Sequence, residues 1–185
     1  MEKDDLITEL VKAVPEGNED AFRQLYEITN KKVYNYLYRL THDQQKAEDL
    51  LMETFTEVWK SAKGFRAESR GLTWMIGIAR NRAMNSFRAG KIREEDIDEH
   101  LEDPPTQIQN YEGAETAVII EDALNRLPST HREILDLIFL QGIVYEDVAR
   151  ITGIPLNTVK SRVFYAKEKL KNIFVSMGIE KDDLL

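Results

Sequence analysis

The feature that most constrains the fold is an interruption of the helical pattern between residues 92 and 114. On either side of it, apolar residues recur at intervals of three and four, as on one face of an α-helix, and no segment shows clear β alternation. The interruption contains Pro104, Pro105 and many acidic residues, which is typical of a flexible linker. The sequence therefore predicts an all-α protein with two small helical domains, residues 1–91 and 115–178, joined by an acidic linker.

Capping signals predict where two of the N-terminal helices begin. Asn18 precedes the periodic segment "EDAFRQLYEIT" and has the short polar side chain that an N-cap requires. Thr41, followed three residues later by Gln44, has the spacing of a capping box. We therefore expect Asn18 and Thr41 to cap the two helices that follow them.

Composition excludes several classes of protein. Hydrophobic residues make up 42% of the chain and charged residues 31%, as in soluble globular proteins. The chain has no cysteine, no glycine-rich phosphate loop and no apolar run near the roughly 18 residues of a membrane-spanning helix. Its acidic N-terminus is unlike a signal peptide, and its histidines, His42, His100 and His131, lack the spacing of metal ligands. We expect a cytoplasmic protein that is not an enzyme, has no catalytic residue, metal or cofactor, and does not insert into a membrane.

The charge of the chain is unevenly distributed around its net value of −8. Residues 60–93 carry nine basic side chains and one acidic side chain, and residues 145–179 carry six basic and three acidic ones. Between them, residues 94–122 hold eleven acidic side chains and no Lys or Arg. Two basic blocks separated by an acidic one indicate two surfaces for a polyanion. The alternative is that these residues only solvate helical faces.

The helix predicted in the first basic block places a tryptophan on its polar side. At about 100° per residue, Trp74 falls on the same side as Asn81, Asn85 and Arg88. The apolar stripe on the opposite side consists of Ile76, Ala79, Ala83 and Phe87. Large aromatic residues usually pack in cores, so the alternative to an exposed Trp74 is a ring that packs against the preceding helix.

The most specific pattern is "VYEDVARITGIPLNTVKSRVFYAKEKL" in the second basic block. In a helix-turn-helix, Ala149 would be the small residue where two helices cross, and Gly153, four positions later, would lie where the turn needs a residue that tolerates positive φ. This pattern predicts a helix-turn-helix whose second helix enters the major groove of duplex DNA. A plain helical hairpin is the alternative. The residues expected to face DNA are Pro155, Leu156, Asn157, Lys160, Ser161, Phe164, Tyr165 and Lys167.

Both halves together resemble the extracytoplasmic-function group of bacterial sigma factors, which are specificity subunits of RNA polymerase. The resemblance runs from Ala21 to about Lys171 without the linker, and it rests on "AEDLLMETFTEVW", "FRAESRGLTWMIGIARNRAMNSFR" and the helix-turn-helix, in this order. It implies a dissociable initiation factor that binds core polymerase through the β and β′ subunits and is regulated by an anti-sigma factor. It also implies that the acidic linker threads the positively lined channels of the polymerase.

The resemblance assigns a role to each of the three stretches. The first would dock on the β′ clamp helices, because an apolar residue rimmed by carboxylates suits helix docking. The second would melt and read the −10 element as a single strand, since such sites combine aromatic faces with cationic grooves. The helix-turn-helix would read the −35 element as duplex. The docking residues are Asp49, Leu50, Met52, Glu53 and Phe55; the −10 residues are Lys63, Phe65, Arg66, Glu68, Ser69, Arg70, Trp74, Arg80, Asn81, Asn85 and Arg88.

The chain departs from the family pattern at a few positions. Met52 stands where glutamine is frequent, and Val144 leaves the first motif helix without its usual Ser or Thr cap. Ile138 and Tyr165 replace basic residues, which alters the expected charge of the −35 reader. The alternative function is a free-standing helix-turn-helix repressor or activator. Such a protein accounts for the C-terminal domain but gives no role to the basic loop predicted from Lys63 to Arg70 or to the helix that carries Trp74.

Overall fold

The computed structural model describes residues 3–94 and 114–179 and divides the chain into two compact units, Met1–Pro104 and Pro105–Leu185. Within the described ranges every element of regular secondary structure is helical, which confirms the all-α prediction. Residues 95–113, most of the predicted acidic linker, lie outside the described part. The α-helices are α1 Lys3–Ala13, α2 Glu19–Thr41, α3 Gln44–Ser61, α4 Gly71–Glu94, α5 Ala114–Asn125, α6 Ser129–Leu135, α7 Tyr145–Thr152 and α8 Leu156–Ser176.

The first unit is built around α2, which packs against α1, α3 and α4. Leu25, Val33 and Leu37 of α2 are fully buried, as are Val58 of α3 and Met75 of α4. Burying one such side chain contributes about 1.5–3 kcal/mol relative to leaving it in water. The apolar stripes found in the sequence therefore form a single core, on which α3 and α4 are held side by side.

One predicted cap is confirmed and the other is wrong. The Asn18 side chain accepts the backbone N–H of Ala21 at 2.9 Å, as an N-cap does. The cap of α3 is Asp43 rather than Thr41, because the Asp43 carboxylate accepts the N–H of Lys46 at 3.0 Å. Thr41 still belongs to α2, where its hydroxyl donates to the carbonyl oxygen of Leu37 at 2.9 Å. The intervening His42 takes a left-handed conformation, with φ 52°, that ends α2 and leaves Asp43 to begin α3.

No helix was predicted over the residues that form α1, Lys3–Ala13. Ile7, Leu10 and Val11 of this helix are buried, as is Val14 just beyond it. They recur at intervals of three and four, so they form one face that packs against α2 and α4. Helix α1 is therefore an integral part of the core of the first unit.

The second unit contains the predicted helix-turn-helix, formed by α7 and α8. Gly153 ends α7 with φ 71° and donates its N–H to the carbonyl oxygen of Ala149 at 2.9 Å. This left-handed conformation is the reason for a glycine at the turn. Val148 of α7 and Val159 of α8 are fully buried, so the apolar positions of the motif form the packing between its two helices.

Helix α6 continues directly into a π-helical segment, Asp136–Leu140. Gln141 donates its N–H to the carbonyl oxygen of Asp136 at 2.9 Å, across five residues instead of four. The Gln141 side chain also donates from Nε2 to Oδ1 of Asp136 at 2.7 Å, and both residues are buried. A buried polar pair thus stabilises the wider turn, and Phe139 and Leu140 at the end of the segment face solvent.

We expect Val144→Ser to stabilise the second unit by about 1 kcal/mol. Val144 is the N-cap residue of α7, has the extended backbone that capping requires and makes no side-chain hydrogen bond. A serine hydroxyl there can accept an N–H of the first turn, and little burial is lost because Val144 is exposed. In calorimetry of the full chain, the midpoint temperature of one unfolding transition should rise by roughly 4–8 °C. Val144→Ala is the control, and an equal shift for both variants would contradict the capping explanation.

Candidate nucleic-acid and partner interfaces

The basic loop of the first unit connects α3 to α4. It follows a short 3₁₀ turn, Ala62–Gly64, and begins where the N–H of Phe65 donates to the carbonyl oxygen of Ala62 at 3.0 Å. Ala67 lies in the left-handed region with φ 55°, which is uncommon for a residue with a Cβ. Arg66 pairs with Glu68 at 3.3 Å. The loop therefore has a defined conformation that leaves Lys63, Arg66 and Arg70 exposed.

Trp74 is half-buried at the base of this loop. Its ring lies 5.1 Å from the ring of Phe65, centroid to centroid, with the planes tilted by 45°. The aromatic partner of Trp74 thus belongs to the loop rather than to α3. The two half-buried rings join the loop to the first turn of α4 and leave aromatic surface at their edge.

The predicted division of α4 into two faces is confirmed. Ile76, Ala79 and Ala83 are fully buried and Phe87 is half-buried, whereas Asn81, Asn85 and Arg88 are exposed. The exposed amides and guanidinium group lie along the helix beyond Trp74. Of the eleven residues assigned to the −10 surface, four are half-buried and seven exposed. The half-buried ones are Phe65, Ser69, Trp74 and Arg80.

The surface formed by this loop and by the polar face of α4 has the chemistry of a single-strand site. Aromatic rings stack on bases of any sequence, and cationic side chains contact the phosphates. Amide side chains both donate and accept hydrogen bonds, so they can read the edge of an unstacked base. All three kinds of group occur on this one surface.

In the second unit, α8 presents the predicted DNA-reading residues to solvent. Pro155, Asn157, Lys160 and Ser161 are exposed, and Leu156 is half-buried. The rings of Phe164 and Tyr165 are both 62% exposed and meet edge to face, with centroids 5.5 Å apart. Asn and Lys side chains bind base edges in the major groove, and apolar groups contact the thymine methyl.

Lys167, farther along α8, is held by an aromatic contact. Its Nζ lies 4.7 Å from the centroid of the Phe139 ring, above the exposed end of the π-helical segment. A lysine ammonium is attracted to the face of an aromatic ring, so this contact limits where the Lys167 side chain can lie. The ammonium group thereby stays at the surface, where a phosphate can reach it.

The surface of α3 differs from the predicted docking set. Asp49, Met52 and Glu53 are exposed, and Met52 stands out with 62% of its surface accessible. Leu50 and Phe55 are buried, with 4% and 3% accessible. The Phe55 ring packs edge to face against Phe22 at 6.2 Å and Tyr26 at 4.7 Å, both on α2. Leu50 and Phe55 therefore hold α3 on the core, and the exposed docking candidates are Asp49, Met52 and Glu53.

One titratable group near α3 has a clearly shifted pKa. Burial raises the pKa of the Tyr34 phenol, and the nearby Glu48 carboxylate and Tyr38 raise it further. The ring of Tyr34 stacks on that of Tyr38, with centroids 6.2 Å apart. A raised pKa keeps the phenol neutral across the physiological range. Negative charge on this side of α3 therefore comes from carboxylates.

Helix α1 makes contacts with the end of the basic loop that were not predicted from the sequence. Asp4 pairs with Arg70, with Oδ2 and Nη1 2.7 Å apart, and the Thr8 hydroxyl accepts the N–H of Gly71 at 2.9 Å. The apolar spacing of α1 was the available signal, because a helix buried on one face presents its polar residues along its edges. Nothing in the residue types pointed to Arg70 and Gly71 as their partners.

Two kinds of feature are absent from the described residues. In residues 3–94 and 114–179, no group of three or more His, Cys, Asp or Glu side chains is arranged to hold a metal ion. None of the helices described has both the length and the apolarity to cross a membrane.

Two family models match the chain, one in each unit. Sigma-70 region 2 matches residues 25–92, which include α3, the basic loop and most of α4. Sigma-70 region 4 matches residues 117–170, which include the helix-turn-helix. The order and position of the two matches agree with the two surfaces described above.

Curated relatives match most of the chain. The ECF RNA polymerase sigma-E factor of Haemophilus influenzae is 31% identical over 175 residues, covering 88% of this chain and 92% of the relative. The RNA polymerase sigma-H factor of Pseudomonas aeruginosa is 30% identical over 174 residues, covering 88% and 90%.

Solved structures show the same fold. The sigma factor RpoE of Bartonella quintana, in complex with the anti-sigma factor NepR, superposes with a TM-score of 0.66 at 27% identity, covering 83% of this chain and 96% of that one. CnrH, in complex with the cytosolic domain of CnrY, superposes with a TM-score of 0.66 at 17% identity, covering 92% of this chain and 98% of CnrH. At this identity the similarity supports the fold alone. By its two matched regions and its relatives, the chain belongs to the extracytoplasmic-function group of the sigma-70 family of RNA polymerase sigma factors.

Proposed function

We propose that this chain is an alternative sigma factor that binds core RNA polymerase and directs initiation at its own promoters. The observation that carries the proposal is the presence, in one chain, of two different DNA surfaces. One is the single-strand surface formed by the basic loop and α4, and the other is the major-groove surface of α8. An initiation factor needs both, since it holds an opened strand at one element and reads duplex DNA at another.

The −10 and −35 elements are assigned to these two surfaces by their chemistry. Phe65 and Trp74 supply aromatic surface for an unstacked base, and Asn81 and Asn85 supply donors and acceptors for its edge. The exposed face of α8 has the width of a helix that enters a major groove, and Asn157 and Lys160 on it can bind base edges there. The first unit therefore opens and reads the −10 element, and the second reads the −35 element.

The exposed part of α3 is the candidate site for polymerase. Met52 is a large apolar side chain in water, flanked by the carboxylates of Asp49 and Glu53. An apolar anchor rimmed by charge is the pattern by which one helix docks on another. The coiled helices of the β′ clamp are the partner that this surface fits. The protein then acts without catalysis of its own, in the cytoplasm where polymerase is found.

An anti-sigma factor is the proposed regulator. The sigma factor RpoE of Bartonella quintana, which has this fold, has been solved in complex with the anti-sigma factor NepR. In this chain the exposed apolar side chains Met52, Phe164 and Tyr165 lie on the polymerase- and DNA-binding surfaces. A protein that covers these side chains would block both functions at once.

In vitro transcription of fragmented genomic DNA, with bacterial core polymerase and mapped 5′ ends, tests the proposal. New start sites that depend on the protein and share a two-part upstream motif are the expected result. A free-standing helix-turn-helix regulator explains α7 and α8 alone. Tight duplex binding by the free protein, with no new start sites, would favour that regulator and contradict the sigma function.

A further inference from the structure

We infer that α1 positions the basic loop between α3 and α4, and that it does so through the hydroxyl group of Thr8. The match to sigma-70 region 2 begins at residue 25, so α1 lies outside the matched residues. The inference rests on the proposed function of the loop and adds a residue on which that function depends.

The hydroxyl of Thr8 uses both of its hydrogen-bonding capacities. It donates to the carbonyl oxygen of Asp4, four residues earlier in α1, at 3.0 Å. Because its proton is directed to Asp4, a lone pair faces α4 and accepts the N–H of Gly71 at 2.9 Å. The orientation of the hydroxyl is thus fixed within α1 before it meets the loop.

Gly71 is the residue at which the loop ends and α4 begins. The first N–H groups of a helix lack an acceptor within the helix, and a side chain just before the helix usually supplies one. Here that preceding residue is Arg70, whose guanidinium group only donates. Thr8 therefore caps α4 from a different helix, and the cap joins α1 to the loop.

The close approach of the two helices depends on glycine. A Cβ at position 71 would lie 2.9 Å from the Cα of Thr8 and 3.0 Å from the carbonyl oxygen of Ile7. Both are backbone atoms of α1, so a larger residue would force the helices apart. The absence of a side chain at Gly71 is what allows the Thr8 hydroxyl to reach the backbone.

A second contact restrains the same end of the loop. Asp4 pairs with Arg70 at 2.7 Å, with side chains 34% and 58% exposed. An ion pair so open to solvent adds little stability, but it limits where the Arg70 side chain can lie. Helix α1 thereby holds two consecutive residues, Arg70 through its charge and Gly71 through its backbone.

The contacts of α1 with Arg70 and Gly71 also restrain the aromatic pair formed by Phe65 and Trp74. The loop begins at Phe65, which packs on Trp74, and Trp74 donates its N–H to the carbonyl oxygen of Arg70 at 3.0 Å. The aromatic pair and the restrained end are therefore one hydrogen bond apart. A loop ordered before it meets DNA loses less conformational entropy when it captures a base.

The test compares two replacements of Thr8. Thr8→Val keeps the shape of the side chain and removes the hydroxyl, whereas Thr8→Ser keeps the hydroxyl and removes the methyl group. We expect Thr8→Val to reduce the amount of open complex formed by reconstituted holoenzyme about fivefold. Thr8→Ser should form nearly as much open complex as the wild type. Hydrogen exchange of the Gly71 amide in the free protein should become about fivefold faster in Thr8→Val. It should stay at the wild-type rate in Thr8→Ser.

The control is Thr54→Val, at a buried threonine of α3 whose hydroxyl donates within its own helix, to Leu50 at 2.7 Å. It should leave both promoter opening and Gly71 exchange unchanged. Opening by Thr8→Val at the wild-type level, or equal loss for Thr8→Ser, would overturn the inference, since the second result means that α1 acts by packing. If wild-type holoenzyme opened no promoter, the proposed function would fail, and amide exchange would still decide whether Thr8 holds Gly71.

Discussion

Replacing Trp74 and Asn81 together with alanine should remove most promoter opening and leave binding to core polymerase unchanged. The Trp74 ring forms the aromatic edge beside the loop, and Asn81 is an exposed amide on the same face of α4. Stacking contributes roughly 1–3 kcal/mol per base, so loss of the ring alone should reduce opening by about 5-fold to 150-fold. The measurement is permanganate reactivity of unpaired thymines near the start site.

The chain provides a matched control, because it has a second tryptophan, Trp59. Trp59 lies on α3, is partly exposed, and packs edge to face against Phe22 of α2 at 5.0 Å. Trp59→Ala removes the same ring from the same unit and should open promoters normally. Unchanged permanganate reactivity in the Trp74 and Asn81 variant, or equal loss in Trp59→Ala, would contradict the role assigned to this face of α4.

The face of α4 was predictable because helical geometry determines it. Each residue rotates by about 100° about the helix axis, so the stripe from Ile76 to Ala83 fixes the direction of Asn81 and Asn85. The partner of Trp74 was not predictable in the same way. Phe65 belongs to a loop whose path depends on the left-handed Ala67 and on contacts with α1. Local periodicity carries no information about such a path.

In α3, two residues of the apolar face were predicted to belong to the docking surface, but the structure buries them in the core. Leu50 and Phe55 belong to the apolar face of the helix, and the resemblance also placed them in the docking surface. Burial of 96% or more is not read from the sequence, but the ring contacts of Phe55 with α2 explain it. Met52 is the apolar residue of the predicted set that remains outside the core.

Deviations from regular helices were the least predictable part of the fold. The π-helical segment depends on the buried pair between Asp136 and Gln141, five residues apart, which falls outside the three- and four-residue spacings by which helices are recognised. The start of α3 depends on the left-handed His42, which makes Asp43 the cap and excludes Thr41. Both features arise from single contacts that compete with a regular pattern.

Removing Asn157 and Lys160 together should reduce discrimination between the −35 element and unrelated duplex by at least about 30-fold, if each contact contributes at least 1 kcal/mol. Both residues are exposed near the N-terminal end of α8, the part of a recognition helix that reaches base edges. Asn157→Ala alone should relax the preference at a single base pair. The measurement is holoenzyme binding to a library of −35 sequences at fixed salt.

The same binding experiment distinguishes base-specific contacts of α8 from nonspecific attraction between its positive charges and DNA. Lys167, held over Phe139, should contact phosphate, so Lys167→Ala should weaken binding to all sequences about equally and reduce the dependence of binding on salt. Lys169 is also exposed, but helical geometry places it on the other side of α8 from Lys160. Lys169→Ala thus removes one positive charge without touching the reading face. If it reduced discrimination as much as Asn157→Ala and Lys160→Ala together, net charge rather than the geometry of α8 would determine promoter choice.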